Sequence, residues 1–124
     1  MIFLINPGLF MKIKNIIEVL DGKVVAGEQF LDKEVCFGFA SDLMSDVLTL
    51  DSDQLVLITG LNNLQTIRTA EMADIECIVF VRNKKILPPM VELALENETV
   101  LIECRFSMFN TIGKLYEAGL KPVY

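Results

Sequence analysis

The chain has 124 residues, 52% of them hydrophobic and 23% charged, which is enough for one domain with a real core and too apolar for a disordered segment. A net charge of -6 argues against non-specific nucleic-acid binding, which depends on neutralising phosphates. With no histidine, the chain lacks Ser-His-Asp, Cys-His and histidine-based metal chemistry of its own, leaving Tyr, Lys or carboxylates as routes to an enzyme.

Residues 1–10, MIFLINPGLF, are apolar but interrupted by Asn6-Pro7 and lack a basic leader, so no signal peptide is expected. No apolar run approaches the about 20 residues of a membrane helix. The segment reads either as an extension upstream of a compact domain at 11–124 or as an arm that packs on a neighbouring subunit. Residues 12–20 then set Ile13, Ile16, Ile17 and Leu20 at helical spacing, with Gly22 available to end the helix. A short strand at 23–26 and a polar turn at 28–33 follow. Residues 34–40 alternate Val35, Phe37 and Phe39 with small residues, the pattern of a strand near an edge. Ser41 is placed to cap a helix, SDLMSDVL, that buries Leu43, Met44, Val47 and Leu48.

The centre of the chain is LVLITGLNNLQTIRTAEMADIECIVFVR, residues 55–82. Two short apolar runs, 55–58 and 78–81, flank a helix that carries Leu64, Ile67 and Ala70 on one side and is capped by Asn62 or Asn63. Continuous apolar strands around an amphipathic helix suit parallel strands buried on both faces. After the basic turn Arg82-Asn83-Lys84-Lys85, Pro88-Pro89 opens another helix and 99–103 forms the last strand. Ser107 caps a final helix predicted to turn Phe109, Ile112 and Tyr116 inward, and Gly119, Leu120 and Pro122 stop it. Five strands alternating mostly with five helices predict the α/β class: a three-layer α/β/α sandwich with a mainly parallel five-stranded sheet. If the first two strands pair antiparallel with each other, the sheet is mixed.

In such a sheet the helices that follow strands start on one edge, each offering free N–H groups and partial positive charge. Ser41, Asn62, Asn63 and Ser107 mark those starts, Thr59-Gly60 forms the central turn, and Arg82, Lys84 and Lys85 reach the same edge. Together they form a candidate cradle for an anion. The plainer alternative is that Ser and Asn only cap helices and the basic turn is solvated. Arg68 is placed to pair with Glu71 or Asp74 or to reach a ligand. The turn lacks the GK[ST] ending of a P-loop and no GxGxxG is present, so no motif supports nucleotide hydrolysis. Asp42 and Asp46, four apart on the predicted helix, either meet a cation or form a solvated face. Cys36, Cys77 and Cys104 match no metal spacing and read as buried reduced thiols, which points to the reducing cytosol. No metal and no cofactor is expected.

Thr59-Gly60, Arg68-Thr69-Ala70, IVFVR at 78–82, Ser107-Met108-Phe109 and LYEAGL at 115–120 together resemble the DRTGG domain family, over nearly the whole chain from Met11 to Leu120. The five letters of the family name do not stand together here, so the likeness rests on Thr59, Gly60, Arg68, Thr69 and the Ser107-Met108-Phe109 turn. The variant most similar to this chain is a stand-alone domain encoded near iron-only hydrogenase genes; others are fused to CBS domains in regulatory pyrophosphatases or precede phosphate acetyltransferases. The resemblance implies a fold similar to the amino-terminal domain of HPr kinase. It also implies a non-catalytic regulatory or ligand-sensing module that dimerises. Two functions are therefore expected in competition. One is a cytoplasmic homodimeric sensor that binds a small anionic metabolite or nucleotide at the 59–63 edge. The other is an interaction module that docks on a redox enzyme of hydrogenase type without a small ligand. Neither requires a membrane, nucleic acid or catalysis.

Overall fold

A computed structural model describes residues 11–124 of the chain, so the two readings of 1–10 lie outside the described residues. The chain folds as β1 (Met11–Lys12), α1 (Ile13–Leu20), β2 (Lys23–Ala26), a 3-10 turn (Glu28–Phe30), β3 (Glu34–Val35), β4 (Phe37–Ala40) and α2 (Met44–Val47). It continues with β5 (Leu55–Thr59), α3 (Leu64–Met72), β6 (Cys77–Phe80), α4 (Pro88–Asn97), β7 (Val100–Glu103), α5 (Met108–Ala118) and β8 (Lys121–Pro122). Six strands make the main sheet in the order β2-β7-β6-β5-β4-β8, and β1 and β3 form a separate antiparallel ribbon.

The main sheet is parallel except at β2, which runs antiparallel to β7 with Lys23 opposite Glu103. This confirms the α/β sandwich and its mainly parallel sheet and corrects two details. The sheet has six strands, not five, because 121–122 continues past α5 and pairs with β4. The first two strands do not pair with each other: β2 lies on one edge of the sheet and β4 sits next to the other. The predicted strand at 34–40 is also divided at Cys36, whose N–H and that of Phe37 both bond the Gln54 carbonyl.

Side chains alternate along the central strands, and the alternation sorts the core into two layers. Leu55, Leu57, Ile78, Phe80 and Leu101 pack with Met44 and Val47 of α2, Ile67 and Ala70 of α3, and Met90 and Ala94 of α4. Val56, Ile58, Val79 and Ile102 face the other way, towards Ile13, Ile16 and Leu20 of α1 and Leu115 and Ala118 of α5. Chain direction explains the division. From β4 through β5 and β6 to β7 each connection steps the same way across the sheet, so right-handed crossovers put α2, α3 and α4 on one face. From β7 the chain returns across the sheet to β8, and the same handedness places α5 on the opposite face. Beyond β6 and β7 the outgoing chains therefore part, one to each face. That divergence is the topological switch point at which open α/β sheets bind ligands.

Two helices depart from expectation. The helix predicted from Ser41 is reduced to Met44–Val47, with Leu43 rather than Ser41 at its N-cap. Met44 and Val47 are buried as predicted, whereas Leu43 and Leu48 are exposed, because a one-turn helix has too little surface to hide both flanks. In α5 it is Thr111, Leu115 and Ala118 that face the core. Phe109, Ile112 and Tyr116 are turned outward, with Phe109 88% exposed. Both stripes have helical spacing, and the position of α5 over β5 and α1 selects the one with smaller side chains.

Candidate functional site

The carboxyl ends of β4, β5, β6 and β7 share one rim because these strands are parallel. Each delivers a different group to it: Asp42 after β4, Thr59-Gly60 at the end of β5, Arg82 after β6, and Glu103 at the end of β7. The 41–43 turn aims Asp42 at its neighbours, held by the Leu43 N–H donating to Ser41 Oγ at 2.9 Å. Asp42 Oδ1 accepts the Gly60 N–H at 2.7 Å and the Thr59 hydroxyl at 2.9 Å. Thr59 Oγ1 in turn accepts the Leu61 N–H at 3.1 Å. Arg82 brings its Nη2 to 3.9 Å from Asp42 Oδ2, and both side chains are about half exposed. The guanidinium lies so close above Gly60 that a Cβ there would overlap it, so any side chain at this position would have to push Arg82 aside.

The Gly60 N–H does most to hold the Asp42 carboxyl below its ordinary value of 3.8. Desolvation opposes it, while the Thr59 hydroxyl and the charges of Arg82 and Lys84 add to it. A carboxylate so stabilised is a weaker base than a free one, and Thr59, buried beside it, donates its hydroxyl to it. Cys77, buried in β6, is a poor nucleophile: desolvation pushes its thiol up to about 12. Cys104 is buried beside Thr111, with Sγ and Oγ1 3.5 Å apart, and Cys36 is half-buried; all three are free thiols. Among the described residues no group of three His, Cys, Asp or Glu side chains is arranged to hold a metal.

At the switch point the β6 and β7 loops are tied together. Arg82 and Asn83 both adopt left-handed backbone, with φ of 62° and 58°. Their N–H groups donate to the carbonyls of Phe106 at 2.7 Å and Cys104 at 2.9 Å. Two consecutive non-glycine residues in this region are costly, by about 1 kcal/mol each, and persist only where surrounding contacts impose them. The turn is anchored further by Glu103, 12% exposed, which accepts the Ile86 N–H at 2.9 Å and lies 3.9 Å from Lys85 Nζ.

Of the residues singled out from the sequence, Gly60 lies against the Arg82 guanidinium, and Thr59, Gly60 and Arg82 all meet at Asp42. Asn62 joins them by donating its side-chain N–H to the Lys85 carbonyl at 2.9 Å, which ties the β5 loop to the β6 loop. Asn63, not Asn62, caps α3, accepting the Thr66 N–H at 3.0 Å. Ser107 caps α5, accepting the Asn110 N–H at 3.1 Å. Ser41 caps no helix; it stands at the rim and shapes the turn that carries Asp42. Arg68 stands exposed in the second turn of α3. Sequence reasoning did not assign Asp42 and Glu103 to the rim. Asp42 precedes the short α2 instead of sharing a helix face with Asp46, so the proposed carboxylate pair does not form as drawn. The signal available was position alone, since each acid lies at or just past the carboxyl end of a strand.

No family model matches the chain, and no curated protein matches it. A solved structure shares its fold: the CBS and DRTGG domains of the regulatory region of Clostridium perfringens pyrophosphatase, crystallised with the activator diadenosine tetraphosphate. The TM-score is 0.67 and the identity 14%, over 90% of this chain and 48% of that one. The likeness supports a DRTGG-type fold. This chain spans about half the length of that regulatory region, and at such low identity the likeness is one of fold.

An apolar groove of about 90 Å³ lies elsewhere, between α5 and the β4–β8 edge, with Gly38, Ala40, Ile58, Ile112, Leu115 and Tyr116 among its lining residues. None of the helices among the described residues is long and apolar enough to cross a membrane.

Proposed function

We propose that this chain is a non-catalytic regulatory domain that binds a small anionic ligand, a nucleotide foremost, at the carboxyl rim of its sheet. The observation that carries the reading is convergence. Thr59, Gly60, Asn62 and Arg82 come together beside the switch point, where Lys84 and Lys85 add positive charge to an otherwise acidic protein. Asn63 and Ser107 present the amino ends of α3 and α5 at the same rim, Ser41 flanks it, and Arg68, one turn further along α3, is proposed to reach towards a bound ligand. The fold likeness to a regulatory region bound to a nucleotide activator supports the ligand class and a regulatory role. The domain works in the cytoplasm as a homodimer.

The test is a thermal-shift series with mono-, di- and polyphosphate nucleotides and phosphorylated metabolites at millimolar concentration, with solution mass measured in parallel. A ligand at ten times its Kd adds about 1.4 kcal/mol and raises Tm by about 5 °C or more in a domain of this size. Arg82→Ala abolishes most of that rise. No shift with any compound, or an equal shift in Arg82→Ala and Asn62→Ala proteins, would defeat the proposal.

A second reading is favoured by one observation: the outer face of α5 exposes Phe109 and Tyr116 beside the apolar groove. On this reading the chain is an interaction module for a redox enzyme of hydrogenase type. Recovery of such an enzyme with the wild-type chain, lost in a Phe109→Ser Tyr116→Ser protein, together with an unresponsive rim, would select it.

A further inference from the structure

Three partners converge on Asp42: a loop N–H from Gly60, a hydroxyl from Thr59 and a guanidinium from Arg82. An amide, a hydroxyl and a guanidinium are also the donors that a phosphoryl or sulfate group uses when it binds at a loop of this kind. The protein's own carboxylate already holds them, so the Gly60 N–H that the sequence offers to a ligand is not free.

We infer that Asp42 is a built-in competitor for the ligand: its carboxylate occupies the anion position beside Gly60, and a ligand binds there by displacing it. The inference rests on the proposed anion-binding role of the rim and deepens it. Asp42 is held in a manner suited to displacement. Its side chain is about half exposed, its contact with Arg82 is long at 3.9 Å, and it belongs to a turn before a four-residue helix whose N-cap, Leu43, makes no side-chain cap bond. Leu43 itself is 58% exposed, so the turn is held by the Leu43 N–H to Ser41 Oγ and Ser41 N–H to Ile58 carbonyl bonds and not by Leu43 packing.

The competition sets the ligand class. A monocarboxylate entering the site exchanges one carboxylate for another and gains nothing in charge. A dianion or polyphosphate brings more negative charge to Arg82 and Lys84 than Asp42 does, and it alone displaces the side chain at moderate concentration. Exchange also moves the 41–43 turn, which makes the start of α2 the first segment to register occupancy.

The test uses sulfate as the dianion and acetate as the monocarboxylate, titrated into wild-type, Asp42→Asn, Asp46→Asn and Arg82→Ala proteins. The readouts are the Gly60 amide resonance and Tm. Asparagine keeps an oxygen for the Gly60 N–H while removing the charge, and Asp46→Asn removes an equal charge from an exposed position on α2. The expected result is sulfate affinity about tenfold higher in Asp42→Asn than in wild type, with Asp46→Asn unchanged, Arg82→Ala weakened and acetate ineffective in the wild type. Equal sulfate affinity in wild type and Asp42→Asn, with Arg82→Ala still weaker, overturns the competition and leaves the rim as a binding site. No saturable response to sulfate in any protein overturns both. Should Asp42→Asn fail to fold, the wild-type Asp42 carboxyl carbon resonance decides: it moves with the Gly60 amide as sulfate binds, and a carboxyl signal that stays fixed while the amide saturates overturns the inference.

Discussion

At the scale of single residues, Asp42 shows how a surface acid becomes part of a fold. Its charge is favoured first by the Gly60 N–H and then by the Thr59 hydroxyl, Arg82 and Lys84, and together these outweigh its partial desolvation. The folded chain therefore keeps Asp42 ionised at a pH where the unfolded chain binds a proton. The stabilisation is fully present above about pH 4, the unfolded value, and is lost as pH falls through the lower folded value. Half exposure to solvent keeps the effect modest. Urea unfolding from pH 7 to pH 3 is expected to show wild type more stable than Asp42→Asn by a constant margin down to about pH 4, then a closing gap. A margin that stays constant to pH 3 would mean that the charge of Asp42 adds nothing.

Elements are decided by which of their faces finds a partner. In α5 two stripes carry apolar residues at helical spacing, and the burial of Leu115 against the exposure of Phe109 shows which one faces the sheet. Leu115→Ala is expected to cost about 3 kcal/mol in urea unfolding, the loss from a filled core position. Phe109→Ser is expected to stay within about 0.5 kcal/mol in dilute solution. Comparable losses from the two substitutions would contradict the orientation of α5. The end of α5 behaves as its sequence suggests: Gly119 takes a left-handed φ of 116° and the Leu120 N–H returns to the Leu115 carbonyl.

For the whole molecule the order of strands sets the distribution of stability. β5 and β6 lie at the centre, fully buried with helices on both faces, whereas β2 and β8 are edges. Native-state hydrogen exchange is expected to be slowest for the amides of 56–58 and 78–80 and fast on the outward side of β2 and in β8. Exchange from β5 as fast as from β8 would show that the sandwich does not open from its edges. The same order places the rim loops beyond the most stable strands. The rim groups after β5 and β6 are therefore carried by the most deeply buried strands.

Local sequence determined the elements that carry their own signals. Apolar runs at 55–58 and 78–81 specify buried strands, and the Asn62-Asn63 pair, Pro88, Ser107 and Gly119 bound helices because their side chains or backbone meet terminal groups within a few residues, the structure choosing Asn63 of the pair. Since parallel strands put all carboxyl ends on one edge, the rim was legible as well, with Thr59, Gly60, Asn62 and Arg82 among its members. Only the tertiary structure decided what depends on distant partners. It chose β7 as the neighbour of β2, added β8 beside β4, selected the inward face of α5, and turned Asp42 from a helix position to the Gly60 amide. Each of those outcomes is a choice among surfaces of similar local quality, and it is made by what lies opposite once the chain has packed.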